Sequence, residues 1–232
     1  MKGITDWLAH QFRDQGWIDH WQTLIAGSLA ILAAIVGGIF INRQIRAAKT
    51  SEIEARQRKF DAARAVLPLI LSALSEYAIR CNKLLMAIHA TKAGENIPKQ
   101  AAPSPPPPIP SGVIDDLRAI IEHSDEPFRG NVKRLIGQLQ VQVARIGSMV
   151  THLKAGYDDD HSITALNIET YMIDGADIYA RCSALFDFAR GTSDEVPGGP
   201  TRADIRTGLR QTGIWEDLYP RTHQRVDAHY DH

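Results

Sequence analysis

The chain contains only two cysteines, Cys81 and Cys182, and they lie far apart in the sequence. A small secreted domain stabilised by disulfides would contain more, so we expect two free thiols in a reducing compartment. Each cysteine falls on an apolar stripe of a predicted helix, which favours a buried position as a small core residue.

An excess of charge of one sign is also lacking. Lys and Arg together number 26, and Asp and Glu number 27. A protein that binds nucleic acid across its whole surface would normally carry a basic excess, so we expect no nucleic-acid partner.

The usual catalytic motifs are missing. The sequence has no phosphate-binding glycine loop, no GxGxxG, HExxH or GxSxG, and no CxxC. Asp158–Asp160 lacks the spacing of a calcium loop, and a solvated turn is the better interpretation. His223, His229, Asp231 and His232 are metal-ligand types without a rigid scaffold. We therefore predict no catalytic residue, no cofactor and no metal site, and we expect the protein not to be an enzyme.

What the sequence does contain is one long apolar run, Thr23–Ile41, without a charged residue. Its 19 residues would extend roughly 28 Å as a helix, close to the thickness of a bilayer's hydrocarbon core. A cleaved signal peptide fits poorly, because the run is long and the preceding segment is not basic. We predict a transmembrane helix at 23–41 whose partner is the lipid bilayer.

The segment before this run, 1–22, predicts either a short helix in the membrane interface or a disordered tail. Trp17 and Trp21 stand where an aromatic belt would lie, so both are predicted interface anchors.

Orientation follows from Lys and Arg. The 1–22 segment has two, whereas the flank from 42 to 66 has seven, beginning with Arg43, Arg46 and Lys49. These three are the predicted topology-setting residues, because basic flanks remain on the cytosolic side. We expect the N-terminus outside and the C-terminal domain in the cytosol, in a cell inner membrane.

A heptad pattern covers 42–93, the predicted juxtamembrane helix, and is typical of coiled-coil packing. Pro68 interrupts the pattern without changing its phase, which favours one kinked helix. The seam residues are Ile53, Phe60, Leu67, Leu74, Cys81 and Ile88, with Ala63, Ile70, Tyr77 and Leu84 at the alternate positions.

A proline-rich linker is predicted at 94–112. Its proline run favours an exposed polyproline II spacer without regular hydrogen bonds, and a ligand for a proline-binding module is the alternative.

The region 113–190 predicts a helical bundle hairpin. A short helix, Val113–His123, precedes a helix that ends near Ala155, capped by Ser124 or Asp125. Another helix is expected from Ser162 to Arg190. The fold class is therefore all-α: an N-terminal transmembrane helix, a kinked long helix and an antiparallel bundle.

The tail, 191–232, is expected to be irregular apart from a short helix capped by Thr201 and Asp204. Trp215, Leu218 and Tyr219 are candidates for docking on the bundle or for binding a partner.

Three stretches, WQTLIAGSLAILAAI, INRQIRAA and LPLILSALSEYAIRC, lie between Trp21 and Cys81. They resemble a group of uncharacterised bacterial single-pass membrane proteins that are hypothetical proteins with no assigned activity. The resemblance implies a bacterial inner-membrane location and supplies no functional residue.

Two functions are consistent with these patterns. The first is a membrane-anchored helical interaction or scaffold module with an unknown protein partner. The second is a signal-transducing or sensory subunit that relays a change through the juxtamembrane helix. Ala26, Ala30, Ala34 and Gly38 recur every four residues, a spacing of small residues that favours a homodimer through the transmembrane helix.

Overall fold

The computed structural model describes the backbone of residues 2–99, 104–155 and 162–229, and the side chains of 21–99, 104–155 and 162–227. In this part of the chain there are six α-helices and two isolated β-bridges but no β-strand. The predicted all-α class is confirmed. The helices are α1 (Lys2–His89), α2 (Val113–His123), α3 (Phe128–Ala155), α4 (Ala165–Arg190), α5 (Arg202–Gln211) and α6 (Pro220–His229).

The contacts divide the chain into two units, Met1–Arg56 and Gln57–His232. The first unit is the N-terminal part of α1. Its apolar window has a mean hydropathy of 2.6 and is 0% buried, so α1 is long and apolar enough to cross a membrane. The backbone of 2–20 is helical, whereas the side chains of the predicted interfacial segment lie outside the described residues.

The second unit begins within α1, which continues without a break through Pro68. Its heptad residues from Leu67 to Ile88 form the centre of the core, as the pattern predicts. The prediction that Ile53 belongs to this seam is wrong for the bundle core, because Ile53 is 69% exposed and lies in the first unit. The seam therefore begins at the half-buried Phe60. The kink at Pro68 stays a prediction.

Helices α3 and α4 pack against each other and supply much of the remaining core. Val132, Leu139, Ile146 and Leu153 of α3 are buried, as their heptad spacing predicts. Val143, on the alternate series, is 37% exposed.

Two predicted helix starts differ from the structure. At α4 the capping residue is Thr164, not Ser162, because Thr164 and Asn167 exchange hydrogen bonds in a capping box. At α3 a side-chain cap comes from Glu126, whose Oε2 accepts from the Gly130 N–H at 3.0 Å. The Ser124 hydroxyl instead donates to a carbonyl of α2.

The proline-rich segment is not the free spacer that its composition predicts. Ile97 is buried, and its N–H donates to the Ile163 carbonyl at 2.9 Å. The Ala165 N–H likewise donates to the Glu95 carbonyl at 2.8 Å. Ile109 packs against the core. The prediction failed because Asn-Ile-Pro was grouped with the prolines that follow, although isoleucine is a core residue.

The tail is more regular than predicted, since α6 occupies Pro220–His229. The capping box of Thr201 and Asp204 at α5 is confirmed. Among the predicted docking residues, Tyr219 packs against the core, whereas Trp215 is 51% and Leu218 67% exposed. The buried apolar residues that dock the tail are Ile205, Leu209, Ile214 and Val226.

Candidate functional site

The four small residues of the predicted span lie on α1 at a spacing of four residues, and all four side chains are exposed. They are Ala26, Ala30, Ala34 and Gly38. A Cβ atom built on Gly38 would meet no atom within 4 Å. This side of α1 is therefore open to close approach by another helix, and its role in a homodimer stays a prediction.

The flanks of the span are also on α1. Arg43, Arg46 and Lys49 are exposed within two turns of its end, and Trp21 is 50% exposed at its beginning. The side chain of Trp17 lies outside the described residues. The roles of these residues in orientation and anchoring stay predictions.

In the second unit, helix α4 carries three buried carboxylates, Glu169, Asp174 and Asp177. Asp174 pairs with Arg145 of α3, and Asp177 accepts from Arg181 Nε at 2.9 Å. A buried carboxylate is costly unless a cation and hydrogen bonds compensate for its lost hydration. The pair of Asp174 with Arg145 therefore holds α4 against α3, whereas the pair of Asp177 with Arg181 lies within α4 itself.

Glu169 is the centre of a larger cluster, where the end of α1 and helices α4 and α6 meet. Its Oε2 lies 3.3 Å from Arg221 Nε and 3.6 Å from Arg225 Nη1. Its Oε1 lies 3.7 Å from His89 Nε2. Arg221 also donates to both oxygens of Glu95, at 2.8 and 2.9 Å. This charge cluster (His89, Glu95, Glu169, Arg221 and Arg225) connects four segments of the chain.

His89 is only 7% exposed, and its ring centroid lies 5.4 Å from that of Tyr219. Burial lowers the pKa of His89, and Lys92 lowers that pKa further. Glu169 opposes both effects without reversing them. The ring is therefore held neutral. Its place at the end of α1 agrees with the sequence, but its carboxylate neighbour was not predicted.

A second polar contact lies inside the core, where Asn82 of α1 meets α4. Its Nδ2 donates to the Met172 carbonyl at 3.2 Å and to Thr212 Oγ1 at 2.9 Å. Gly175 makes room for this amide, because a Cβ there would overlap Asn82 Oδ1. Gly208 similarly lets α5 approach α4, since its Cβ would lie 2.5 Å from the Ala176 carbonyl oxygen.

An aromatic cleft of about 180 Å³ lies beside the turn between α2 and α3. Its apolar lining includes Phe60, Phe128 and Phe188, whose rings contact one another in sequence. The Arg64 guanidinium already stacks on Phe188 at 4.1 Å and donates to its carbonyl at 2.8 Å. The guanidinium of Arg64 is therefore already engaged by the C-terminal end of α4 and does not favour a site for an anionic ligand.

The proline run shows a three-residue period of exposure, as polyproline II geometry requires. Pro105, Pro108 and Ser111 are exposed, whereas Pro106, Pro107, Ile109 and Pro110 are half-buried. Modules that bind PxxP segments take them into an aromatic-lined groove. Because four of these residues are already half-buried and Ile109 packs against the core, a spacer packed on the bundle is favoured over a ligand.

Nucleophilic and metal chemistry have little support in the described residues. Burial raises the pKa of the Cys81 thiol to about 11 and that of Cys182 to about 12. Since the thiolate is the reactive form, both are poor nucleophiles, and both are core residues as predicted. Within 21–99, 104–155 and 162–227, no group of three His, Cys, Asp or Glu residues is placed to hold a metal ion. Asp158–Asp160 lies outside the described residues.

No family model, curated protein or solved structure matches this chain.

Sequence reasoning missed the charge cluster and the Asn82 contact for the same reason. Glu169 and Arg221 are 52 positions apart, and Asn82 lies 130 residues before Thr212. Periodicity reveals the apolar face of each helix but not the pairing of polar groups between distant helices. The one available signal was that Glu169, Asp174 and Asp177 lie among the apolar residues of the segment 168–178.

Proposed function

We propose that this chain is a membrane-anchored helical module that binds a protein partner. In this proposal 23–41 crosses the inner membrane of a bacterial cell, with the N-terminus outside and the bundle in the cytosol. The observation that supports it best is α1 itself. An exposed apolar window capable of spanning a bilayer continues as one helix into the buried core of the second unit.

The second unit supports an interaction role more than a catalytic one. Three of its carboxylates, Glu169, Asp174 and Asp177, are buried and paired with cations. Asp174 joins α4 to α3 and Glu169 joins α4 to α6, so these two acids serve helix packing. A tethered bundle that binds a protein partner requires only that such buried acids stabilise its fold.

Reporter fusions test the anchor and its orientation together. The first reporter is active only in the cytosol. Fused after Lys92 to the complete segment 1–92, it should be active. A reporter that is active only outside should be silent at the same position. The physical reason is the exposed basic flank of Arg43, Arg46 and Lys49.

A matched variant sharpens this test. Replacing Arg43, Arg46 and Lys49 by Gln should weaken the orientation signal, whereas replacing the exposed Arg80 and Lys83, about 40 residues beyond the span, by Gln should not. The opposite pair of reporter activities in the wild type would reverse the orientation. Recovery of the active cytosolic reporter in the soluble fraction instead of the membrane fraction would refute the anchor.

A further inference from the structure

Helix α6 is attached to the bundle chiefly by polar contacts. Besides its bonds to Glu95, its residue Arg221 approaches Glu169. Arg225 donates to the Leu166 carbonyl at 2.8 Å and to Thr170 Oγ1 at 3.0 Å. Among the described side chains of α6, only Val226 is both apolar and buried. The docking of this helix therefore depends on the charge state of its surroundings.

Two buried histidines lie in this contact. His89 faces Glu169 from the end of α1, and His223 of α6 itself is only 1% exposed. The Nε2 of His223 lies 2.9 Å from the Ile214 carbonyl. Because a carbonyl can only accept, Nε2 carries the hydrogen, and the buried Nδ1 has no hydrogen-bond partner.

Protonation of His89 would change this arrangement unfavourably. On His89 a positive charge would appear 3.5 Å from Lys92 Nζ and near the guanidinium of Arg221. Only the Glu169 carboxylate would favour it, and that group is already shared with two arginines.

Other charged or titratable groups also face this contact. Lys92 and Glu95 come from the turn after α1, Glu169 from α4 and Arg206 from α5. Helix α6 and the residue before it contribute Tyr219, Arg221, Arg225 and Asp227. Arg206 and Asp227 pair with each other at 2.7 Å. The charged groups that remain around His89 are three cations, Lys92, Arg221 and Arg225, and two carboxylates, Glu95 and Glu169.

We propose that α6 is a strap that releases from the bundle in mild acid, with His89 as the group that triggers the release. The proposal is independent of the membrane role and of any partner.

The direction of the pH effect follows from linkage. The pKa of His89 in the docked state is lower than in the released state, chiefly because of burial. The docked state is therefore favoured fully above the ordinary histidine pKa of about 6.5, and this contribution is lost as the pH falls below it.

Distance measurements between two spin labels test the strap directly. One label replaces the exposed Gln224 on α6 and the other the exposed Ser148 on α3, with Cys81 and Cys182 changed to Ala. The full chain is held in detergent micelles. At pH 7.5 one narrow distance distribution is expected. At pH 5.0 a second, broad population should increase several-fold and disappear when neutral pH is restored.

Histidine variants identify the trigger. His89→Gln should abolish the rise of the broad population. His152→Gln, on α3, is the matched control and should keep the full rise. A wild type without a broad population at pH 5.0, or a full rise in His89→Gln, would overturn the proposal.

Discussion

At the scale of single residues, the contact between Asn82 and Gly175 illustrates how a polar group is accommodated in an apolar core. The amide is fully buried and donates to two acceptors on other segments. Gly175→Ala would drive a methyl group into this amide. We expect it to destabilise the bundle by about 1–3 kcal/mol, the usual cost of overpacking, and by more if a buried hydrogen bond is lost.

Chemical denaturation of the full chain in detergent, followed by helical circular dichroism, measures this effect. Gly147→Ala is the matched control, because a Cβ there meets no atom within 4 Å in the middle of α3. That substitution should be neutral or stabilise by about 0.4–1 kcal/mol, since alanine restricts the unfolded chain. Equal effects at Gly175 and Gly147 would contradict the packing of the amide against α4.

Other single residues show what could be predicted from the sequence alone. Leu74 and Ile88 were assigned to the core correctly, because their seven-residue spacing reports directly on one face of a helix. Glu169 was not, because its burial depends on cations supplied by a distant segment. Ile53 continued the apolar spacing but extends beyond the bundle, and spacing carries no information about where the packing partners end.

At the scale of elements, segments with few apolar residues are the hardest to predict from the sequence. Helix α6 was predicted to be irregular because its described part buries a single aliphatic side chain, Val226. Its stability comes from tertiary ion pairs such as that between Arg221 and Glu95. By contrast, α2 was predicted with its observed bounds, since four aliphatic residues lie on one side of it.

The docked proline-rich segment gives a prediction at this scale. Ile97 anchors the segment through its buried side chain and its bond to Ile163. Ile97→Ala should weaken this anchor by about 2 kcal/mol or more, so that local opening becomes roughly thirtyfold or more frequent. Tryptic cleavage after the exposed Lys99 should then accelerate by a similar factor.

Pro105→Ala is the control for that experiment, because Pro105 is exposed and lies on the outer ridge. Its cleavage rate should stay within about twofold of the wild type. An unchanged rate in Ile97→Ala would mean that the segment is held elsewhere, for instance through Ile109, which also packs on the core.

At the scale of the whole molecule, the two units differ in what they bury. The second has a core of its own. The apolar window of the first is 0% buried and is long and apolar enough to cross a membrane, where a helix satisfies its own backbone groups. The sequence revealed this division because uniform apolarity and heptad spacing are both local patterns.

The last prediction concerns association through the span. Between helices in lipid there is no hydrophobic force, so close packing of small residues must supply the attraction. Ala34→Ile with Gly38→Ile should fill the exposed groove and leave the helix in the membrane. Energy transfer between labelled copies in liposomes should fall several-fold at a fixed protein-to-lipid ratio. Leu32→Ile, on the opposite side of α1, should leave the transfer unchanged. Unchanged transfer in the double variant would place any dimer elsewhere, with the exposed Val66 and Leu69 as the next surface to alter.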